Sequence, residues 1–204
     1  MTLYIIGFTV LVSLLALSDP RIMQQLWFEP FVVKARGDWF RFLTHAFVHA
    51  NHFHLFVNML VLYMFGTSVE HLYGVVRDGH SLLPFLILYL GGIVFGALPG
   101  YKKHMYDPNY RSVGASGATS AVLFAHILMK PMSPVYFWFV PVPIPGFVFG
   151  ALYLFYEWYQ DKRGGDNVAH DAHFYGALFG LGFTALLDPR LITQIGYLER
   201  ALNG

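Results

Sequence analysis

Gly114-Ala115-Ser116-Gly117-Ala118-Thr119-Ser120-Ala121-Val122-Leu123-Phe124-Ala125-His126-Ile127-Leu128-Met129 is an apolar run that opens on a glycine-flanked serine and closes at Lys130-Pro131. As a helix from Ser116 to Met129 it would extend about 21 Å at 1.5 Å rise per residue. The hydrocarbon core of a bilayer is about 30 Å thick. A helix that meets one interface at Lys130 therefore begins below the other, with a serine hydroxyl at its N-terminus inside the membrane. Irregular backbone at such a depth is tolerated only where protein or a water-filled cavity surrounds it. The run therefore predicts a site rather than a simple span.

Composition sets the class around that run. The 204 residues are 56% hydrophobic and only 12% charged, well below the roughly one-quarter charge of soluble domains, so the chain reads as a polytopic membrane protein. A formal net charge of +1 without a basic cluster gives no electrostatic case for nucleic acid. The absence of cysteine excludes disulfides and thiolate metal sites. Without long low-complexity tracts or internal repeats, the sequence predicts one domain over residues 1–204.

Six apolar segments can be drawn, over 3–17, 53–73, 82–98, 116–129, 146–159 and 172–187. The first resembles a signal-peptide core, but no Lys or Arg precedes it and no small-x-small site follows, so a retained helix is expected. Between the first two segments, residues 18–51 carry Trp27, Phe28, Phe31, Trp39, Phe40 and Phe42 among several charges. Aromatic rings collect at membrane interfaces, so this connection is either a folded interfacial element or a plain aromatic belt. Six spans put both termini on one side with Arg77, Lys130, Arg190 and Arg200. The other side carries Arg21, Lys34, Arg36, Arg41, Lys102, Lys103, Arg111, Lys162 and Arg163. On that count the positive-inside rule alone places the termini outside.

Ionisable and polar residues inside apolar spans are expensive and mark function by default. His54 and Asn58 are spaced i, i+4 and share one helix face. His173, Gly176 and Gly180 share another, where glycines let a second helix approach closely. Imidazole titrates near neutrality, so a histidine beside a helix-terminal serine suits a base that takes the hydroxyl proton and returns it to a leaving amine. Backbone N–H groups around Gly114, Ala115 and Gly117, at the positive end of the helix dipole, suit an oxyanion. Taken singly, the Gly-x-Ser-Gly step and the Gly176/Gly180 pair also fit ordinary helix packing, and His173 fits an interhelical hydrogen bond. His170, close to Asp166 and Asp171, is expected at a solvent-facing mouth. Asp171 points away from His173 on a helix, so no third group is expected and a dyad is the reading.

The chain resembles the rhomboid family of intramembrane serine proteases over nearly its whole length. The residues that carry the resemblance are Gly114-Ala115-Ser116-Gly117, Ala172-His173-Phe174-Tyr175-Gly176 with Gly180, His54-Leu55-Phe56-Val57-Asn58, Trp39-Phe40-Arg41, and the stretch from Gly66 to Glu70. The resemblance implies an all-α six-transmembrane-helix bundle with a long interfacial first loop and a short central serine-bearing helix. It implies a Ser116–His173 dyad without metal or other cofactor, His54 and Asn58 as oxyanion support, and transmembrane proteins as substrates. Arg41 and Glu70 match positions that brace the first loop against the bundle. In the usual bacterial arrangement the protein is a multi-pass inner-membrane protein with cytoplasmic termini, which disagrees with the charge count.

Two departures bear on the site. Many members carry an aromatic residue one turn after the nucleophile, where this chain has Ser120, so Ser120 or an aromatic of the fifth segment must orient His173. The first-loop motif reads Trp-Phe-Arg. The fifth segment follows Pro131, Pro134, Pro141, Pro143 and Pro145, which predicts an irregular hairpin before a short helix. By resemblance that helix is a lateral substrate gate, and its aromatics equally suit lipid packing. Other classes fit less well. A transporter or channel would show corresponding interruptions in related repeats. A zinc protease would need a glutamate that the pair His45 and His49 lacks. A non-catalytic adaptor would have lost Ser116 or His173.

Overall fold

Each of the six apolar segments is helical, and the connection 18–51 folds into three shorter α-helices and a 3-10 turn at His45–Phe47. The computed structural model describes residues 1–77, 79–136, 142–166 and 168–187. Of the residues weighed above, Pro141, Arg190 and Arg200 lie outside these. In chain order the helices are α1 (Thr2–Ser18), α2 (Pro20–Leu26), α3 (Pro30–Arg36), α4 (Arg41–Thr44), α5 (His52–Val61), α6 (Thr67–Val76), α7 (Leu82–His104), α8 (Ser116–Met129), α9 (Gly146–Arg163) and α10 (His170–Leu187). A π-helical stretch, Leu62–Gly66, joins α5 to α6. The hairpin expected at the proline-rich approach is present as an antiparallel pair, β1 (Pro134–Tyr136) and β2 (Pro143–Pro145), with Val135 opposite Ile144, and the helix after it, α9, has 18 residues and is not the short one expected. Prolines break helix here and leave two short extended strands.

The first loop is folded because its sequence carries its own start and stop signals. The Asp19 carboxylate caps α2 by accepting from Arg21 N–H, and Pro20 stands at its first position. Pro30 opens α3, and Gly37 closes it in the left-handed conformation at φ 76°, its N–H donating to Val33 O. Phe28 is buried and forms a two-way backbone bridge with Ser112, which ties the loop to the strand-like approach to α8.

Helix α1 is patterned inside out. Thr2, Thr9, Ser13 and Ala16 face the bundle, whereas Leu3, Tyr4, Phe8, Leu11, Leu14 and Leu15 are exposed. Buried small polar residues and exposed large apolar ones reverse the pattern of a helix in water and fit a hydrocarbon surrounding. Among the described residues, the stretch His52–Val75 and helix Leu82–His104 are long and apolar enough to cross a membrane. Helix α8 differs from both, since it is short and twelve of its fourteen residues are buried. A helix apolar on all sides belongs in the middle. Ala115, Ala118, Ala121, Val122 and Ala125 share one cluster with Tyr73, Phe85, Leu88 and Tyr89.

Candidate active site

The start of α8 is held by the first loop. Gly114 has φ 115°, a conformation that side chains disfavour, and a Cβ there would fall 2.6 Å from His54 Cε1. Both facts require glycine. Gly114 N–H donates to His45 O at 2.9 Å, and Ala115 N–H donates to His49 Nε2 at 3.3 Å. Because that nitrogen accepts, the His49 proton sits on Nδ1 and is donated to Ser13 Oγ at 2.8 Å, and Ser13 in turn donates to Phe47 O. His49 is fully buried, and burial, then the neighbouring His54 and His45, hold it down to about 3, so the ring is neutral. His45 donates from Nδ1 to Arg41 O, and burial lowers it to about 4.

These bonds revise the expected oxyanion donors. The N–H groups of Gly114 and Ala115 are already engaged. The first-turn N–H groups of Ser116, Gly117 and Ala118 are the ones an α-helix leaves without an internal partner. Asn58 is buried beside them, donating from Nδ2 to His54 O at 2.9 Å and accepting at Oδ1 from Thr119 Oγ1 at 3.3 Å. Thr119 lies one turn after Ser116, so the amide oxygen faces the serine helix, and the NH2, turned to His54 O, keeps one N–H for another acceptor. The His54 ring stands edge-on to His49, with centroids 5.0 Å apart, and covers Gly114.

On the opposite side, α10 meets α8 backbone to backbone. A Cβ on Gly176 would fall 2.2 Å from Gly117 O, and one on Gly180 would fall 2.1 Å from Ala121 O. Helix α7 joins this contact, where a Cβ on Gly96 would fall 2.9 Å from Ala172 O. Glycine contacts thus bring the helix start that carries Ser116 against the turn that carries His173. Among the described residues no hydrogen bond joins Ser116 to His173. Catalytic hydrogen bonds are often long before substrate binds.

His173 is held by its other ring nitrogen. His173 Nδ1 lies 3.1 Å from Glu157 Oε1, and Glu157 is a buried carboxylate on α9. The second oxygen of Glu157 contacts His170 Nδ1 at 2.5 Å, and His170 Nε2 reaches Asp166 Oδ2 at 3.0 Å. Two expectations are corrected here. A third group does stand at the histidine, and it is Glu157 rather than Asp171, whose carboxylate accepts from Ala172 N–H. His170 does line a cavity of about 300 Å³ with Lys103, Tyr110 and Asp161, as a place at the mouth requires, but its side chain is only 5% exposed and lies between two carboxylates. Glu157 is the sole charged residue in the apolar run 146–159, and that was the signal available to find it. Glu157, His170 and His173 also have ligand atoms within 4.8 Å of one another, a set that could hold a divalent cation. Ser120 Oγ pairs with Tyr153 OH at 2.7 Å, one turn before Glu157 on α9.

The remaining residues are structural in their contacts. Arg41 is buried and donates from Nη1 to Gln24 O and Trp27 O, and from Nε to Asp38, so it gathers three parts of the first loop. Among the described residues, the hydrogen bonds of Glu70 go to the start of α1 rather than to that loop. Its Oε2 accepts from Thr2 N–H and Thr2 Oγ1, both at 2.9 Å, so it anchors the start of α1 to α6. His45 and His49 point to separate partners.

A family model described as Rhomboid domain matches residues 36–190. The chain is 30% identical over 146 residues to RHOMBOID-like protein 12, mitochondrial, of Arabidopsis thaliana, covering 66% of this chain and 42% of that protein. It is 30% identical over 160 residues to Rhomboid-related protein 1 of Caenorhabditis elegans, covering 75% and 41%. It is 37% identical over 91 residues to Rhomboid protease GluP of Bacillus subtilis (strain 168), covering 45% of this chain and 16% of that protein. The chain thus spans less than half the length of these curated relatives.

Proposed function

The chain belongs to the rhomboid family, and on that premise we propose that it is an intramembrane serine endopeptidase hydrolysing peptide bonds in or beside transmembrane segments of other membrane proteins. The observation that carries this reading is the meeting of two helix ends. Ser116 opens the buried helix α8, and Gly176 keeps the turn bearing His173 in backbone contact with the next residue, Gly117.

Chemistry follows from these positions. The Ser116 hydroxyl attacks the scissile carbonyl carbon while His173 Nε2 takes its proton. The oxygen of the tetrahedral intermediate accepts from the free first-turn N–H groups, with His54 and Asn58 as further donors. Collapse breaks the C–N bond as His173 returns the proton to the leaving amine. Water then hydrolyses the Ser116 ester by the same proton route. Residues 1–204 act as one unit of six helical segments in a cell membrane, five of them around the short α8. Cytoplasmic termini, in the bacterial inner-membrane arrangement, are part of the proposal, against the charge count.

Purified protein in detergent or liposomes, given a transmembrane reporter, tests the reading. Wild type should cleave it and react with a fluorophosphonate at Ser116. Ser116→Ala and His173→Ala should lose cleavage to background while keeping their thermal midpoints. A Ser116→Ala protein that still cleaves would remove the serine from the chemistry. A wild type that neither cleaves nor labels would favour a non-catalytic adaptor.

A further inference from the structure

We propose that Glu157 is the positioning residue of His173, and that His170 and Asp166 in turn hold Glu157, so that the serine and histidine work within a relay Asp166, His170, Glu157, His173. The inference rests on the serine-protease reading and adds to it a carboxylate from α9. It starts from donor and acceptor counting. An ionised carboxylate only accepts, so His173 must present Nδ1–H to Glu157 Oε1, 3.1 Å away. A neutral imidazole protonated on Nδ1 carries its lone pair on Nε2, which is the tautomer a base for Ser116 needs. When Nε2 takes the serine proton, the ring becomes a cation beside a carboxylate that can stabilise it.

His170 explains why Glu157 stays in place. Its Nδ1 faces Glu157 Oε2 and its Nε2 faces Asp166 Oδ2, so one ring spans the two carboxylates and pins the second oxygen of Glu157. Asp166 lies in the connection before α10 with its side chain 43% exposed. The buried carboxylate thus has one oxygen held by His170 and the other free to serve His173. A buried charge is tolerated when it is paired in this way. Tyr153 lies one turn before Glu157 and Tyr156 packs edge-on against His170, which closes the relay on the α9 side. His54 faces His173 from α5, and Lys103 and His104 of α7 face Asp171 outside the relay.

The fit also answers the question left by Ser120. Where an aromatic ring would pack against the histidine, this chain hydrogen-bonds Ser120 to Tyr153 and fixes the ring through its Nδ1. Small serine leaves room for α9 to bring Tyr153 and Glu157 inward, so the departure at Ser120 and the acid at position 157 belong together.

Single-turnover and steady-state cleavage by purified Glu157→Gln, Glu157→Asp, His170→Gln and Ser116→Ala tests the relay. An amide can turn its NH2 toward Nδ1 and select the wrong tautomer, so Glu157→Gln should lose about 10² to 10⁴ in kcat with KM within about threefold. Its thermal midpoint should stay near wild type, and its labelling by fluorophosphonate should slow in parallel. Glu157→Asp restores a carboxylate and should recover part of the rate. His170→Gln should lose less, about tenfold, and should add little to Glu157→Gln in the double variant. Should Glu157→Gln fail to fold, His170→Gln alone decides by its kcat. Several outcomes overturn the proposal: kcat of Glu157→Gln within threefold of wild type, a loss seen only in KM and melting, or wild-type kcat in His170→Gln. A rate in wild type that changes severalfold with chelator or added zinc would assign the cluster to a metal and likewise overturn it. Cleavage retained by Ser116→Ala would instead sink the protease reading itself.

Discussion

Gly176 and Gly117 touch backbone to backbone: a Cβ on Gly176 would lie 2.2 Å from the Gly117 carbonyl oxygen and 3.0 Å from its Cα. This contact sits one residue after Ser116 and one helical turn after His173. It therefore sets the separation of the Ser116 and His173 side chains, and no flexible side chain is available there to absorb an added atom.

Even Gly176→Ala should therefore force α8 and α10 apart. Overpacking of this kind costs about 1–3 kcal/mol, and the separation falls directly on the proposed pair, Ser116 and His173. The expected outcome is a lowered thermal midpoint in detergent together with loss of most reporter cleavage. A variant with wild-type melting and wild-type turnover would show that the two helices can slide without consequence. Gly180→Ala, whose Cβ would fall 2.1 Å from Ala121 O one turn further on, should lower stability by a similar amount.

The serine helix and its boundaries were legible because glycine, an apolar run and Lys130-Pro131 are local signals that agree with one another. His54 and Asn58 were legible as an i, i+4 pair. Glu157 was harder, since its partners His170 and His173 lie 13 and 16 residues away on another helix, and the aromatics of its segment suited a substrate gate or lipid packing. The role of His49 needs partners 36 and 66 residues away, Ser13 and Ala115. No local pattern encodes that. Glu70 was misassigned for a related reason, because its contact is to Thr2 at the far start of the chain.

Replacing Gly114 by alanine tests the coupling of backbone conformation to the oxyanion side. The residue sits at φ 115°, and a Cβ would meet the His54 ring at 2.6 Å. Holding a side chain in such a conformation costs about 1–3 kcal/mol. Cleavage should fall more steeply than stability, because relief of the clash moves His54. Equal activity of Gly114→Ala and wild type per folded molecule would separate His54 from the chemistry.

Stability should depend on pH through His45 and His49. Both are neutral when folded, held at about 4 and about 3 by burial, whereas an unfolded histidine titrates near 6.5. Between those values the unfolded chain binds more protons than the folded one, so stability rises with pH in this window and is complete above about 6.5. Lowering pH from about 6.5 to about 4 should cost roughly 1–3 kcal/mol for each histidine, read as a falling thermal midpoint in detergent. His49→Gln should be less stable at neutral pH and show a shallower slope. An unchanged slope in that variant would assign the pH dependence to other groups.

The side-chain donors to the oxyanion should matter more in this chain than a count of nearby N–H groups suggests. Gly114 and Ala115 spend their N–H groups on His45 O and His49 Nε2, which leaves the first turn of α8, His54 and Asn58. Removing one preorganised donor typically costs about 10² to 10³ in rate. Asn58→Ala should fall in that range yet leave measurable turnover, since the helix N–H groups and His54 remain. His54→Ala should be worse, because it also uncovers Gly114 and removes the edge-on neighbour of His49. Thr119→Val separates positioning from donation: it deletes the hydroxyl that reaches Asn58 Oδ1 at 3.3 Å and leaves the amide itself. Its single-turnover rate should fall only a few fold. The comparison needs folded protein, with Ser116 labelling measured beside cleavage. Wild-type single-turnover rates in Asn58→Ala and His54→Ala would show that backbone alone meets the developing charge and that both side chains serve packing.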